Sequence, residues 1–295
     1  MTRNPPITEY ALLALLALLW GASYLFIKIA VSEIPPLTLM AIRVTLACGV
    51  LCAALALSKQ RLPRDLRTWR WLSVQAFFNS IGAWTLLAWG QQHVDAGLAG
   101  VLNSTSPLFV FAIGAVVSRS TAFDLRRAAG ALLGFAGVII LLGQDVTAGL
   151  DDPLLGQLAC LAGAALYACA ALYGQRFNSV GALPTATGTM LCAAVVLIPI
   201  AYWVDGVPAT LPSSPAIVST VVLSVACTGL ALLLYFRLVR TLGPLGVTSQ
   251  AYLRAGVGVL LGVVVLGETP SLMVWLGLVI AIAGVVVINW PKRTR

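Results

Sequence analysis

Charged residues are scarce in this chain: they make up 9% of its 295 residues, whereas hydrophobic residues make up 60%. The mean hydropathy is +0.96. A water-soluble protein of this composition would lack the polar side chains that cover a normal protein surface. The composition therefore excludes a soluble domain and indicates a protein surrounded by lipid.

The residues that catalytic and metal sites require are also few. The chain has one histidine, His93, and no zinc-protease, serine-hydrolase or phosphate-binding glycine motif. Its six cysteines lie in apolar stretches without the paired spacing of metal ligands, so we expect them to serve as packing residues. We expect no enzyme, no cofactor and no metal. A membrane-embedded enzyme or scaffold is the alternative from another functional class.

Acidic residues are missing from the interior of every apolar stretch. Proton-driven exchangers commonly rely on a carboxylate inside the membrane. A solute that crossed the membrane through this chain would therefore be expected to move by facilitated or potential-driven transport. His93 and Asp95, at an outer helix end, are the alternative groups for proton coupling.

Ten apolar stretches are each long enough to cross a membrane as a helix. They cover residues 9–30, 36–57, 70–91, 96–117, 126–143, 153–175, 184–204, 214–236, 246–266 and 272–290. Basic residues gather in alternate connections, and most acidic residues lie in the others. By the positive-inside rule both termini are cytoplasmic. The sequence thus predicts an all-α membrane protein with ten transmembrane helices.

The chain is also an internal repeat. Residues 96–142 recur 147 positions later without a gap, so that Gly130, Ala136 and Gly137 match Gly277, Ala283 and Gly284. We predict two five-helix repeats, residues 1–145 and 146–295. Because five is an odd number, the second repeat enters the membrane from the opposite side, and such inverted repeats enclose a site near the membrane midplane.

Two arginines lie deep in predicted spans. Arg43 is expected to have a structural role through bonds to loop carbonyl groups. Arg254 lies about eight residues, or ~12 Å, into its helix and is expected to face water, a partner or a ligand. The alternative is a bond between Arg254 and carbonyl groups at a helix break.

Polar and aromatic side chains near Arg254 extend the candidate substrate site. Asn103, Ser106 and Pro107 share one helix face, and Gln250 shares a face with Arg254. Pro107 is expected to kink its helix and to expose a carbonyl group. The aromatic wall is predicted from Trp20, Tyr24 and Tyr167, with Asn79 as a weaker candidate. The pairs Gly130/Gly134 and Gly258/Gly262 have the spacing of close helix contacts.

Several segments together resemble the EamA family of the drug/metabolite transporter superfamily. They are residues 19–24 (LWGASY), Pro35-Pro36-Leu37 followed by Arg43, residues 96–109 and Leu266-Gly267-Glu268-Thr269. The resemblance covers essentially the whole chain and implies a ten-helix inverted repeat in the inner membrane that exports metabolites. Within the family the chain looks like the YddG-type amino acid exporters. Their cavity helices point here to Asn79, Asn103, Ser106, Pro107, Tyr167, Gln250 and Arg254.

Two departures from the family pattern matter. The family often has proline where this chain has Arg254, so the second repeat need not share the helix break of the first. Ser106 stands where an aromatic amino acid exporter carries tryptophan. We therefore expect an exporter of aromatic and other apolar or neutral amino acids that works by alternating access. A multidrug or organic-cation exporter is the alternative. The expected partners are a small-molecule substrate and the lipid bilayer, without nucleic acid, and a monomer is compatible with the sequence.

Overall fold

The computed structural model describes residues 7–117, 125–146, 152–206, 210–235, 237–238, 241 and 250–289. Over these residues the chain folds into α-helices without β-strands. The helices are α1 (Ile7–Val31), α2 (Pro36–Leu57), α3 (Leu66–Ala76), α4 (Ala83–His93), α5 (Ala96–Asn103), α6 (Ser106–Val117), α7 (Leu125–Val146), α8 (Asp152–Gly174), α9 (Ala182–Val204), α10 (Ser214–Ser224), α11 (Gln250–Leu266) and α12 (Leu272–Asn289). A π-helical segment, Phe77–Gly82, joins α3 to α4, and a second one, Val225–Leu230, follows α10.

Six helical segments in the described ranges are long and apolar enough to cross a membrane. They are Ile7–Val31, Pro36–Leu57, Ala96–Gly114, Pro153–Phe177, Ala182–Val204 and Ser214–Tyr235. Shorter apolar helices cover Ala129–Ile140, Leu253–Leu266 and Leu272–Gly284. The predicted span 70–91 lies within continuous helical structure over 66–93, which is less apolar because it carries Arg67, Arg70 and several amide side chains. The molecule is thus an all-helical, multi-pass membrane protein.

The predicted kink at Pro107 is a complete helix break between α5 and α6. Proline lacks an N–H group, so the carbonyl oxygen of Asn103 loses its normal helical partner. The Ser106 hydroxyl donates to this oxygen at 2.7 Å, and the Ser104 hydroxyl donates to the oxygen of Gly100 at 2.8 Å. The carbonyl oxygen that Pro107 releases is therefore not left without a hydrogen-bond partner, because the Ser106 hydroxyl replaces the missing N–H group.

The helix that carries Arg254 is not broken. Helix α11 runs without interruption from Gln250 to Leu266 and passes through Arg254, the position that matches Pro107. Arginine keeps its backbone N–H group and so continues the helical hydrogen bonding. One broken and one continuous helix therefore occupy matching positions in the chain.

Glycines bring α7 and α12 into direct backbone contact. A Cβ atom added to Gly284 would lie 2.4 Å from the backbone nitrogen of Gly134, and one added to Gly137 would lie 2.6 Å from that of Ala281. Such distances leave no room for a side chain at either position. The expected packing role of the small residues around Gly130 and Gly134 is confirmed.

Candidate functional site

Tyr24 lies at the centre of the candidate site. Its side chain is buried, and its ring fits between Gly100 of α5 and Gly258 of α11. A Cβ atom at Gly100 or Gly258 would lie 3.2 Å or 3.3 Å from the nearest ring carbon. The two glycines therefore make the slot in which the tyrosine ring stands.

Asn103, the last residue of α5, approaches Tyr24 from the helix break. Its Nδ2 atom donates to the Tyr24 hydroxyl at 2.7 Å. The Asn103 side chain is only 2% exposed, and its Oδ1 atom is buried without a hydrogen-bond partner in the described part of the chain. Such an unsatisfied acceptor is costly in a fold and is common at sites that bind a ligand.

Gln91 supports Tyr24 from the opposite side of the residue. The Gln91 side chain is fully buried, and its Nε2 atom donates to the backbone oxygen of Tyr24 at 2.8 Å. Lys28, one turn after Tyr24, donates from Nζ to the backbone oxygens of Gln91 at 2.9 Å and of Val94 at 2.7 Å. These bonds hold the end of α4 against α1 and keep the lysine occupied away from Tyr24.

Arg43 reaches the site through Trp84 and Tyr167. The guanidinium carbon of Arg43 lies 3.8 Å from the centroid of the Trp84 ring, and its Nε atom donates to the Thr228 hydroxyl at 2.9 Å. Trp84 Nε1 in turn donates to the hydroxyl of Tyr167. The expected bonds from Arg43 to loop carbonyl groups were therefore wrong: a buried hydroxyl and an aromatic ring hold this arginine.

Arg254 approaches Tyr167 from α11. Its side chain is half-buried, and its Nε atom is buried without a hydrogen-bond partner among the described residues. Tyr167 interacts electrostatically with Arg43, Arg254 and Tyr24. Tyr167 thus lies within electrostatic range of both arginines and of Tyr24.

Asn103 and Arg254 flank Tyr24 on opposite helices. Helices α5 and α11 pack against each other, with Gly97 against Val259 and with the Tyr24 ring between Gly100 and Gly258. Asn103 is three residues beyond Gly100, and Arg254 is four residues before Gly258, so each lies about one turn from the tyrosine slot. The unpaired acceptor and the unpaired donor therefore belong to the same site.

The interior of the site is positively charged. Arg43 and Arg254 lie in helices that contain no acidic residue, and the acidic residues of α1 and α8 are confined to the first turn, at Glu9 and Asp152. A charge in a medium of low dielectric constant acts strongly on its surroundings. The arrangement favours an anionic group and disfavours a cation.

The other predicted site residues do not join the group around Tyr24 in the described part of the chain. The Trp20 ring packs on Tyr235 with 5.5 Å between centroids, in an apolar cluster apart from Tyr24 and Tyr167. Asn79 lies in the first π-helical segment and donates to the Ser80 hydroxyl at 3.0 Å. Ser106 and Pro107 are half-buried at the helix break, and the side chain of Gln250 lies outside the described residues. The structure thus brings together Tyr24, Asn103, Tyr167 and Arg254.

Sequence reasoning missed three members of the site: Trp84, Gln91 and Thr228. Trp84 and Gln91 lie near the two ends of α4, in a span that is unusually polar. That polarity is the one sequence signal that would have favoured them. Thr228 has no other candidate site residue near it in the sequence. It lies in the second π-helical segment, where its hydroxyl accepts from Arg43. No sequence pattern marks that segment, because its extra residue per turn depends on tertiary packing.

Comparisons with known proteins identify the family. The profile of the EamA-like transporter family matches residues 7–143 and 154–290. The uncharacterized inner membrane transporter YedA of Escherichia coli strain K12 is 30% identical over 280 residues, which cover 94% of this chain and 89% of YedA. A probable amino-acid metabolite efflux pump of Salmonella typhimurium is 24% identical over 295 residues, which cover 95% and 94% of the two chains. One solved crystal structure shares the fold with a TM-score of 0.67 at 20% identity and covers 95% of this chain and 96% of its own. The chain therefore belongs to the EamA-like transporter family, as the resemblance of its motifs predicted.

Proposed function

We propose that this chain exports amino acids across the inner membrane by alternating access between two five-helix halves. The observation that carries the proposal is that two guanidinium groups, those of Arg43 and Arg254, interact electrostatically with Tyr167 and lie in helices whose interior has no carboxylate. Uncompensated positive charge inside a membrane protein marks a site for an anionic group. A carboxylate supplies that group.

Arg254 is the proposed contact for the substrate carboxylate. Its buried Nε atom lacks a partner in the described residues, and the fork of a guanidinium group matches the two oxygens of a carboxylate. Arg43 is already held by Thr228 and Trp84. It therefore contributes positive potential at Tyr167, while the Nε atom of Arg254 is a donor without a partner among the described residues.

Asn103 is the proposed contact for the substrate amino group. Its buried Oδ1 atom is an unused acceptor about one turn from the Tyr24 slot, on the helix opposite Arg254. An amino acid carries one cationic donor group and one anionic acceptor group on the same carbon atom. The orphan acceptor of Asn103 and the orphan donor of Arg254 match this pattern, with Tyr24 and Tyr167 available to contact the side chain. Gln91 Oε1 is a second buried acceptor without a partner in the described residues.

The inverted repeat is supported by four observations. The two family matches begin 147 residues apart, and the two π-helical segments begin at Phe77 and Val225, 148 residues apart. The pairs α2 with α9 and α7 with α12 each join matching helices of the two repeats. The contact of α1 with α11 has its counterpart in the contact of α8 with α5 and α6. Exchange of the two repeats thus maps each of these helix contacts onto itself or onto another of them, which supports alternating access.

The direction and driving force follow from charge and from the relatives. A relative bears the name of an inner membrane transporter and another that of an amino-acid metabolite efflux pump, which supports the location and the substrate class. Because the interior has no carboxylate to carry a proton, we propose facilitated or potential-driven export. Electroneutral transport with a strict dependence on a pH gradient would contradict this part of the proposal.

Counterflow of labelled amino acids in proteoliposomes tests the function. We expect exchange of neutral amino acids by the wild-type protein and loss of exchange in Arg254→Gln, because the glutamine keeps hydrogen-bonding capacity but removes the charge. Arg176→Gln is the matched control, since Arg176 is exposed and stacks on Tyr173 at 4.6 Å. Unchanged flux in Arg254→Gln would remove this arginine from the site, and uptake of organic cations in place of amino acids would favour the multidrug alternative.

A further inference from the structure

Three loop carboxylates each cap a helix that belongs to the opposite repeat. Glu268 accepts from the backbone N–H groups of Ala96 at 2.7 Å and Gly97 at 3.0 Å, the first residues of α5. Asp205 accepts from the N–H group of Thr38 at 2.8 Å and from its hydroxyl at 2.7 Å, in the first turn of α2.

The third cap runs in the reverse direction. Glu33, in the loop after α1, accepts from the N–H group of Ser213 at 2.6 Å and from the Ser213 hydroxyl. Ser213 is the residue immediately before α10. Each of the three contacts therefore joins one half of the chain to the other.

All three caps lie at the same end of the bundle. Glu33 follows the end of α1, and Lys28 near that end bonds the oxygen of Val94, two residues before the α5 terminus that Glu268 caps. Thr38 lies in the first turn of α2, the helix after the loop that contains Glu33. Ser213 lies just before α10, the helix after the loop that contains Asp205. A separate contact marks the opposite end, where Glu9 pairs with Arg237 and Thr241 at 2.8 Å each.

The hydrogen bonds of these caps are stronger than ordinary hydrogen bonds in a loop. The first N–H groups of a helix have no partner within the helix, and the helix dipole attracts negative charge to them. Hydrogen bonds to a charged group are about twice as strong as neutral ones. Separation of the two repeats at this end would break six such bonds together and leave three helix termini uncapped.

We propose that Glu33, Asp205 and Glu268 form one lock that holds this end of the transporter closed, and that its release is the step that opens this end during the transport cycle. This inference rests on the proposed alternating access. The lock acts as a unit because each cap restrains the same two bodies. Loss of one cap therefore weakens the others, although the residues are far apart in the chain.

Hydrogen exchange measured by mass spectrometry on the full-length protein in detergent, without substrate, tests the coupling. In Glu268→Gln we expect amide exchange to become about tenfold faster in segments 36–40 and 211–216, whose caps are intact. In Glu9→Gln, which weakens the opposite end, we expect slower exchange in the same two segments, because the balance shifts towards closure of the locked end.

Asp65→Asn is the matched control. Asp65 caps α3 by accepting from the N–H group of Thr68 at 2.7 Å, within a single repeat. We expect faster exchange only near residue 68 in this variant. If Glu268→Gln likewise changes only residues 95–99, the three caps are independent local contacts and the lock is overturned.

The result is separate from the test of substrate. Coupled exchange without amino acid counterflow would uphold the lock and reject the substrate class. Counterflow with purely local exchange would do the reverse.

Discussion

The guanidinium group of Arg43 lies over the ring of Trp84, 3.8 Å from the ring centroid, and donates from Nε to the hydroxyl of Thr228. Arg43 is 5% exposed, so that this charge is removed from water without a carboxylate partner. Ring and hydroxyl together therefore replace the hydration of the cation. Trp84 also donates to the hydroxyl of Tyr167, which connects the buried arginine to the candidate site.

Arg43→Lys is expected to destabilise the protein although the charge is kept. An ammonium group is more strongly hydrated than a guanidinium group and lacks the planar face that stacks on Trp84. The expected loss is about 2 kcal/mol, the value of a desolvated cation–π contact. Thermal unfolding followed by fluorescence in detergent measures it.

The same substitution at the bundle surface is the control. Arg67 stacks on Trp71 at 4.9 Å but is exposed. Arg67→Lys should change stability by less than ~1 kcal/mol, because water screens the contact. Equal losses in the two variants would show that stacking at Arg43 has no special contribution.

Asn103→Leu should abolish the discrimination between an amino acid and the same acid without its amino group. Phenylalanine and 3-phenylpropanoate are a suitable pair, because both carry the carboxylate that Arg254 is proposed to bind. We expect apparent affinity for phenylalanine to fall about tenfold or more, with little change for 3-phenylpropanoate. Competition against labelled amino acid counterflow measures both.

Tyr24→Phe distinguishes the role of the Asn103 Nδ2 atom from that of the Oδ1 atom. This variant removes the hydroxyl that accepts from Nδ2 and leaves Oδ1 in place. Preference for the amino acid should persist in Tyr24→Phe. Parallel weakening of both ligands in Asn103→Leu would instead assign Asn103 a purely structural role.

Gly284→Ala should destabilise the pair of α7 and α12. The added Cβ atom would lie 2.4 Å from the backbone nitrogen of Gly134, so the two helices would have to separate. Overpacking of this kind costs about 1–3 kcal/mol. Gly256→Ala is the control, because a Cβ atom there has no neighbour within 4 Å, and alanine should be neutral or stabilising in a helix. Thermal unfolding of the two variants gives the comparison.

The Glu33 cap predicts a definite pH dependence. Hydrogen bonds from the hydroxyl and N–H groups of Ser213 lower the pKa of Glu33 below its ordinary value of 4.5. A lowered carboxyl pKa means that the contribution to stability is complete above the ordinary value and is lost as the pH falls through the lowered one. The difference in thermal stability between the wild type and Glu33→Gln should therefore shrink as the pH falls from above 4.5 to below the lowered pKa of Glu33. A difference that stays constant over this range would show that the charge of Glu33 is not what stabilises the contact.

Much of the fold follows from local chemistry that the sequence displays. Runs of apolar residues become helices because lipid offers no hydrogen-bond partner to an open backbone. Pro107 breaks its helix because it lacks an N–H group, and Arg254 does not break the matching one. The sequence also pointed to four candidate site residues, because polar and aromatic side chains are unusual in the middle of an apolar span. They are Tyr24, Asn103, Tyr167 and Arg254.

The sequence by itself determined the membrane setting, the repeat, the helix break and the residues of greatest chemical interest, since each depends on composition or on neighbours within a few positions. Tertiary structure alone decided which partner each side chain found. Arg43 bonds Thr228 across 185 positions of the chain, and Glu268 bonds Ala96 across 172. The tertiary structure also placed Trp20 against Tyr235, away from the candidate site. Such contacts depend on how ten-residue to twenty-residue helices pack in three dimensions, and no local pattern encodes that packing.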